Sequence, residues 1–196
     1  ERQRTLLQIK KFESIAASFE SSLGFKPMMH MSNTSGILNY PEAHFDMVRL
    51  GLGLYGFTND SRINSKLKNT LTLKSVISQI HEIDKNEGVG YNRGFISSKA
   101  MRTATIPLGH ADGFFRSLGQ GKVFVKINGQ KAPVIGNVCM DMVMVELGDV
   151  QITPGEEAVL IGPEQSAGTM AKDAGTISYE ILTGLGARIP RLYLQD

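Results

Sequence analysis

Asn137-Val138-Cys139-Met140-Asp141-Met142 leads into Val143-Met144-Val145-Glu146-Leu147, and from Val138 onward Val and Met alternate with other residues. Alternation with a period of two marks a β-strand with one buried face. The same texture repeats on both sides of this stretch. Residues 123–127 and 132–135 flank Asn128-Gly129, a strong hairpin signal because both turn positions favour positive φ. Residues 71–83 alternate, 101–107 form another run, and 158–161 form a last short strand. Regular spacing with turn punctuation predicts a small β-barrel or sandwich. Two helices are expected at 169–174 and 177–183, with Thr176 as a candidate N-cap of the second and Gly184 and Gly186 ending it.

Upstream the texture changes. Residues 4–21 predict an amphipathic helix, with Ile9, Phe12, Ile15, Ala16 and Phe19 at helical spacing and Gly24 as a stop. Residues 26–31 predict a short strand ending in Ser32-Asn33-Thr34. A brief helix follows up to Tyr40-Pro41, then an apolar, glycine-rich strand over 45–57 with Arg49 inside it. Helix, strand, short helix, strand is the order of the last units of a β/α barrel, which closes only with eight such units. A polar linker near 58–68 separates the halves, so the domains are expected at 1–62 and 63–196. No internal repeat is present.

Composition sets the class. With 41% hydrophobic and 20% charged residues the 196-residue chain is of the ordinary globular type. Its 21 basic and 19 acidic residues leave +2, too little to argue for nucleic acid or a membrane surface. No apolar run is long enough to span a bilayer. The single cysteine, Cys139, cannot form an internal disulfide, which suits a reducing cytoplasm. The chain begins Glu1-Arg2-Gln3-Arg4, without an initiator Met or a secretory signal, and is expected to be a piece of a longer cytoplasmic protein.

Several residues carry chemistry in their own right. Arg49 in an apolar stretch needs a partner, because a lone buried charge is costly. It reads either as one half of an ion pair at a strand end or as a partner for an anion or a ring nitrogen. Thr34, Gly51 and Leu52 supply a hydroxyl and glycine-freed amides, as a phosphate requires; taken alone, Gly51-Leu52-Gly53-Leu54 reads as packing. Tyr91, in Val89-Gly90-Tyr91-Asn92-Arg93-Gly94, reads as a turn aromatic or as a base. A phenol with an ordinary pKa of about 10 is a poor base at neutral pH unless its anion is stabilised. Cys139 lacks a second Cys or a paired His, so no metal site is expected. His30 and Tyr179, taken alone, read as core residues.

Read in order, His30-Met31-Ser32-Asn33-Thr34, Val48-Arg49-Leu50-Gly51-Leu52, Gly90-Tyr91, Ala111-Asp112-Gly113, Cys139-Met140-Asp141 and Ser178-Tyr179-Glu180 resemble the C-terminal half of the alanine racemases, which depend on pyridoxal phosphate. The resemblance covers nearly the whole chain. It implies the C-terminal piece of a pyridoxal-phosphate-binding β/α barrel followed by a small, mostly-β barrel domain with short helices. The reaction implied is interconversion of L- and D-alanine, the D-isomer feeding bacterial peptidoglycan. Arg49 would sit against the pyridine nitrogen, supported by His30. Thr34, Gly51, Leu52 and Tyr179 would hold the phosphate. Tyr91 would be the catalytic base on one face of the α-carbon, opposite the cofactor lysine. Tyr91 and the Met140 amide would serve the partner's site in a homodimer, Met140 binding the substrate carboxylate. His110, Arg116 and Ile177 would line the entrance.

The resemblance also has gaps. The family's lysine lies in a first barrel strand, before an Asn-Ala-Tyr-Gly-His-Gly type motif, and no lysine here has that context. The chain alone is therefore expected to be inactive and to form no stable covalent link to the cofactor. His110 stands where tyrosine is usual; imidazole is shorter and titrates near neutrality, which implies an altered entrance. Asn137 stands where an arginine often precedes Val-Cys-Met-Asp. Rival readings are a racemase for serine or lysine, a related barrel-plus-β-domain decarboxylase with a reactive cysteine, and a non-catalytic relative acting as a binding or dimerisation module.

Overall fold

A computed structural model of the chain describes residues 2–58, 63 and 66–194. The chain forms two compact units, Glu1–Thr70 and Leu71–Asp196. The boundary expected after residue 62 falls beside residues 59–62 and 64–65, which lie outside those described.

The first unit opens with helix α1 (Arg2–Leu23), closed by Gly24 at φ 75°, whose N–H donates to the Glu20 carbonyl. Of its expected apolar stripe only Ile9 is buried, while Phe12 meets the Phe45 ring at 5.2 Å between centroids. Ile15 and Phe19 stay exposed. Helix α2 (Thr34–Asn39) starts where expected, because Asn33 Oδ1 caps it by accepting from the Gly36 N–H.

The two strands expected here, 26–31 and 45–57, do not form. Among the described residues a single parallel bridge, His30↔Met47, is the one strand-type pairing between them. Parallel pairing is the weaker ladder, and an isolated two-strand pair is marginal. Beyond the bridge, Leu52–Tyr55 coils into a 3₁₀ turn instead of continuing extended. Arg49 accordingly lies on irregular, exposed backbone and not inside a strand.

The second unit is built on a seven-stranded antiparallel sheet. Its strands are β1 (Leu73–Val76), β2 (Gln79–Ile83), β5 (Met101–Ile106), β6 (Phe124–Ile127), β7 (Gln130–Ile135), β8 (Val143–Glu146) and β9 (Glu157–Ile161), in spatial order β1-β9-β6-β7-β8-β5-β2. The two edge strands are consecutive in sequence. Ile77 and Ser78 link them, Ile77 N–H donating to Glu156 on one side and Ser78 N–H to Thr105 on the other. The sheet therefore curls until both its ends meet on one bent segment, the run expected as a single strand over 71–83. Val125, Ile127, Val134, Val145 and Leu160 are completely buried on its inner face.

The 124–135 hairpin turns at Asn128 (φ 47°) and Gly129 (φ 79°), both left-handed as that dipeptide favours. Two further strands of two residues each, β3 (Gly88–Val89) and β4 (Phe95–Ile96), pair separately and are too short to leave a periodic signal.

The strand expected over 138–147 begins only at Val143. Residues 137–142 are a loop, because the Cys139 N–H donates to the Met142 carbonyl and closes a turn. Helices α3 (Ala167–Ala174) and α4 (Ser178–Gly184) match the expected pair. Ile177, not Thr176, occupies the N-cap of α4; the Thr176 hydroxyl bonds the Glu180 carboxylate instead.

Candidate functional site

In the first unit, His30, Arg49, Thr34, Gly51 and Leu52 come together around the single parallel bridge. The Arg49 N–H donates to the Ser32 carbonyl at 2.8 Å, drawing residue 49 alongside the segment after His30. Its guanidinium then reaches His30 Nδ1 and the Met31 carbonyl, both at 3.3 Å. A guanidinium only donates, so Nδ1 is the acceptor in this contact. His30 thereby aims the Arg49 side chain.

Thr34 is buried, and its Oγ1 accepts from the Gly51 and Gly53 amides, each at 3.2 Å. Two donors occupy both lone pairs of the hydroxyl, leaving its O–H to donate outward. The Leu52 amide stands at the head of the 3₁₀ turn, where a helical N–H has no partner within the helix. The Leu52 side chain is buried and anchors that turn. This corner is rich in donors: a guanidinium, a hydroxyl and a helix-start amide.

In the second unit, Tyr91 and Met140 share a cavity of about 420 Å³, also lined by Gly90, Cys139, Asp141, Met142 and Met144. Tyr91 is 71% exposed and Met140 60% exposed, so both project from the fold. Beneath them Val89, Ile135, Cys139 and Met144 form a buried cluster, with Ile83 and Phe95 packed against it. Cys139 is buried there as a packing residue. Among the described residues no group of three or more His, Cys, Asp or Glu side chains gathers as metal ligands.

The Met140 loop is held from its carbonyl side. The His110 and Ala111 N–H groups donate to the Cys139 and Met140 carbonyls, each at 3.0 Å. Gly109 makes this approach feasible, since a Cβ there would lie 2.4 Å from both carbonyl oxygens. His110 thus touches the loop through its backbone, while its side chain is exposed. Arg116 is exposed and opens a 3₁₀ turn, Arg116–Leu118, which buries Leu118 and against which α3 packs. Ile177 (60% exposed) and Tyr179 (37% exposed) lie at the start of α4. Tyr179 belongs to the second unit, whereas Thr34, Gly51 and Leu52 belong to the first.

Arg188 is a residue that sequence reasoning missed. Its guanidinium bonds the Asp112 carboxylate and, through Nη2 at 2.7 Å, Asp141 Oδ1. It ties the C-terminal segment to the Met140 loop. The only sequence signal was an arginine within Gly-Ala-Arg-Ile-Pro, without a partner in view.

Comparison with known proteins bears on both units. The family described as "Alanine racemase, C-terminal domain" matches residues 70–193, and "Alanine racemase, N-terminal domain" matches residues 1–59. An alanine racemase of Thermodesulfovibrio yellowstonii is 40% identical over 194 residues, covering 96% of this chain and 51% of the relative. The crystal structure of alanine racemase from Bacillus anthracis with bound L-Ala-P is 30% identical with a TM-score of 0.89, over 100% of this chain and 52% of that one. The Bartonella henselae alanine racemase structure with covalently bound pyridoxal phosphate is 34% identical with a TM-score of 0.76, over 93% of this chain and 52% of that one. The chain spans about half the length of the relatives it matches.

Proposed function

This chain belongs to the alanine racemase family, and from that premise we propose that it is the C-terminal half of an enzyme interconverting L- and D-alanine with pyridoxal phosphate. The observation that carries the reading is the pairing of an exposed phenol, Tyr91, with the Met140 loop across one cavity. It is a base candidate facing a carboxylate-binding candidate, held in fixed register.

The first unit's donors fit the cofactor. Arg49, steered by His30, would face the pyridine nitrogen, and a permanently charged donor keeps that nitrogen unprotonated. The Thr34 O–H and the Gly51 and Leu52 amides would take the phosphate. Bound there, pyridoxal phosphate would supply the electron sink that acidifies an amino acid's α-proton.

The rest falls to this chain's own groups. Tyr91 Oη takes or returns the α-proton on one face; the second base is a lysine that this chain does not contain. The Met140 amide binds the substrate carboxylate as a neutral donor, so a small substrate is oriented without being held too tightly. Tyr91 and Met140 act in the partner's site of a homodimer. His110, Arg116 and Ile177 line the approach. D-alanine from such an enzyme would feed peptidoglycan synthesis, in a cytoplasm that keeps the unpaired Cys139 reduced. No helix among the described residues is long and apolar enough to cross a membrane.

The test is L-to-D alanine conversion by the full-length enzyme with pyridoxal phosphate, comparing wild type and Tyr91→Phe. The expected loss is roughly 10²–10⁴-fold, the scale of a general base. The 196-residue chain alone is expected to show no turnover. Equal activity of wild type and Tyr91→Phe would make Tyr91 a turn aromatic. Turnover of serine or lysine in place of alanine would leave the fold and cofactor standing and overturn the substrate.

A further inference from the structure

Tyr91 sits on backbone that its own turn does not stabilise. Gly90 precedes it at φ 75°, and Asn92 (φ 57°) and Arg93 (φ 50°) follow it, both left-handed. Consecutive non-glycine residues in that region persist only where the surroundings hold them. The β3–β4 ladder beneath has two residues on each side, too few to do so.

Three bonds close the turn. The Gly94 N–H donates to the Tyr91 carbonyl at 3.2 Å, and Arg93 Nη2 donates to the Asn86 carbonyl at 2.8 Å. Only the third comes from another part of the fold: Asn137 Nδ2 donates to that same Tyr91 carbonyl at 3.0 Å. The Asn137 amide is itself fixed, because Gln120 Nε2 donates to its Oδ1 at 3.0 Å. Gly94 lets it lie flat against the turn, since a Cβ at Gly94 would come within 2.6 Å of Nδ2. Asn137 also heads the 137–142 loop that carries Met140. One side chain thus links the two backbones that face each other across the cavity.

We infer that Asn137 is a positioning residue for Tyr91, its side-chain amide fixing the phenol-bearing turn against the Met140 loop. The catalytic consequence rests on the racemase reading; the structural consequence rests on the geometry alone. Asn137→Asp is the near-isosteric test, because it puts an acceptor where Nδ2 donates. Gln120→Leu is the milder one, because it frees the amide to rotate.

Both variants are made in the full-length enzyme with pyridoxal phosphate, and two quantities are read. The first is amide hydrogen exchange over residues 91–94, expected to accelerate about tenfold in Asn137→Asp and less in Gln120→Leu. The second is the α-deuterium isotope effect in each direction, alongside kcat and KM. Mirror-image substrates have an equilibrium constant of one, so kcat/KM must fall equally both ways. The isotope effect therefore carries the directional information. It should rise only in the direction in which Tyr91 removes the proton, with kcat down about tenfold and KM within about twofold. Unchanged exchange in both variants overturns the inference, as does a fall in kcat with both isotope effects unmoved. If Asn137→Asp does not fold, Gln120→Leu decides alone. If wild type does not racemise alanine, the functional reading fails separately and the exchange comparison still decides the role of Asn137.

Discussion

Arg188 and Asp112, 76 residues apart, hold one another through two parallel hydrogen bonds, Nε to Oδ1 at 2.5 Å and Nη2 to Oδ2 at 3.0 Å. The fork geometry of the guanidinium suits a carboxylate taken by both oxygens. Asp112 is buried, and its Oδ2 also accepts from the Gly109 amide at 2.9 Å. The Gly186 N–H returns to the Asp112 carbonyl at 2.9 Å. Side chain and backbone thus fasten the C-terminal segment to the 109–113 turn, which in turn carries the Met140 loop.

This pair makes stability depend on pH. The Arg188 hydrogen bond holds the Asp112 carboxyl below the ordinary aspartate range; burial opposes this, and the Gly109 amide reinforces it. A carboxyl with a depressed folded pKa contributes stability above its unfolded value, about 3.9, and loses it as pH falls through the folded one. Urea unfolding of the chain should therefore weaken below about pH 4, and Asp112→Asn should flatten that slope. At pH 7 the substitution should cost about 1 kcal/mol, discounted because the guanidinium lies more than half in solvent. A variant with the wild-type acid slope would assign the loss to other carboxylates.

Thr34 makes a second test, local to the first unit. Its hydroxyl accepts from Gly51 and Gly53 at once, so Thr34→Val leaves two amides unpaired while keeping the shape. Thr34→Ser keeps the acceptor. Amide exchange at Gly51 and Gly53 should rise about fivefold in the valine variant, the loss of roughly 1 kcal/mol of hydrogen bonding. The serine variant should stay near wild type. Similar exchange in both variants would mean that the 3₁₀ turn holds itself.

Much of the second unit was legible in the sequence because its signals are local. Asn128-Gly129 specifies its own turn, and the 101–107 run falls on a strand, Met101–Ile106, that the structure flanks on both sides. The first unit was read less well. The apolar run at 45–57 looks extended, yet Thr34, 17 and 19 positions upstream, pulls Gly51 and Gly53 into a turn. Alternation from Val138 likewise ran past the point where the Cys139–Met142 turn and the Gly109 approach take over. For the candidate site, family resemblance picked out residues and gave His30 as the support of Arg49, but not what orients the Tyr91 turn and the Met140 loop. The Asn137–Tyr91 and Arg188–Asp141 bonds span 46 and 47 positions. Neither periodicity nor motif spacing reports on contacts so distant.

Met144 tests the platform beneath Tyr91. It is 9% exposed, packed with Val89, Ile135 and Cys139, and its Cε would lie 3.0 Å from a Cβ on Gly90. Met144→Ala should cost about 2–4 kcal/mol in urea unfolding, as for a buried thioether replaced by a cavity. Met144→Leu, similar in volume, should cost less than about 1.5 kcal/mol. Equal costs for the two would show that the site relaxes around a cavity, and that the Tyr91 turn does not depend on filling it.

Gly109 bears directly on the Met140 loop. A methyl group there would lie 2.4 Å from the carbonyl oxygens of Cys139 and Met140, and those carbonyls already accept from His110 and Ala111. The clash is with backbone on both sides, so no side-chain rotation relieves it. Gly109→Ala must displace the loop and lengthen both bonds. The expected cost is about 1–3 kcal/mol of stability, together with altered methyl resonances for Met140 and Met142. In the full-length enzyme the substitution should raise KM for alanine more than it lowers kcat, because it moves the carboxylate-binding amide more than the phenol. An alanine variant with an unchanged urea midpoint and unmoved Met140 resonances would show that the two segments are not in the contact described.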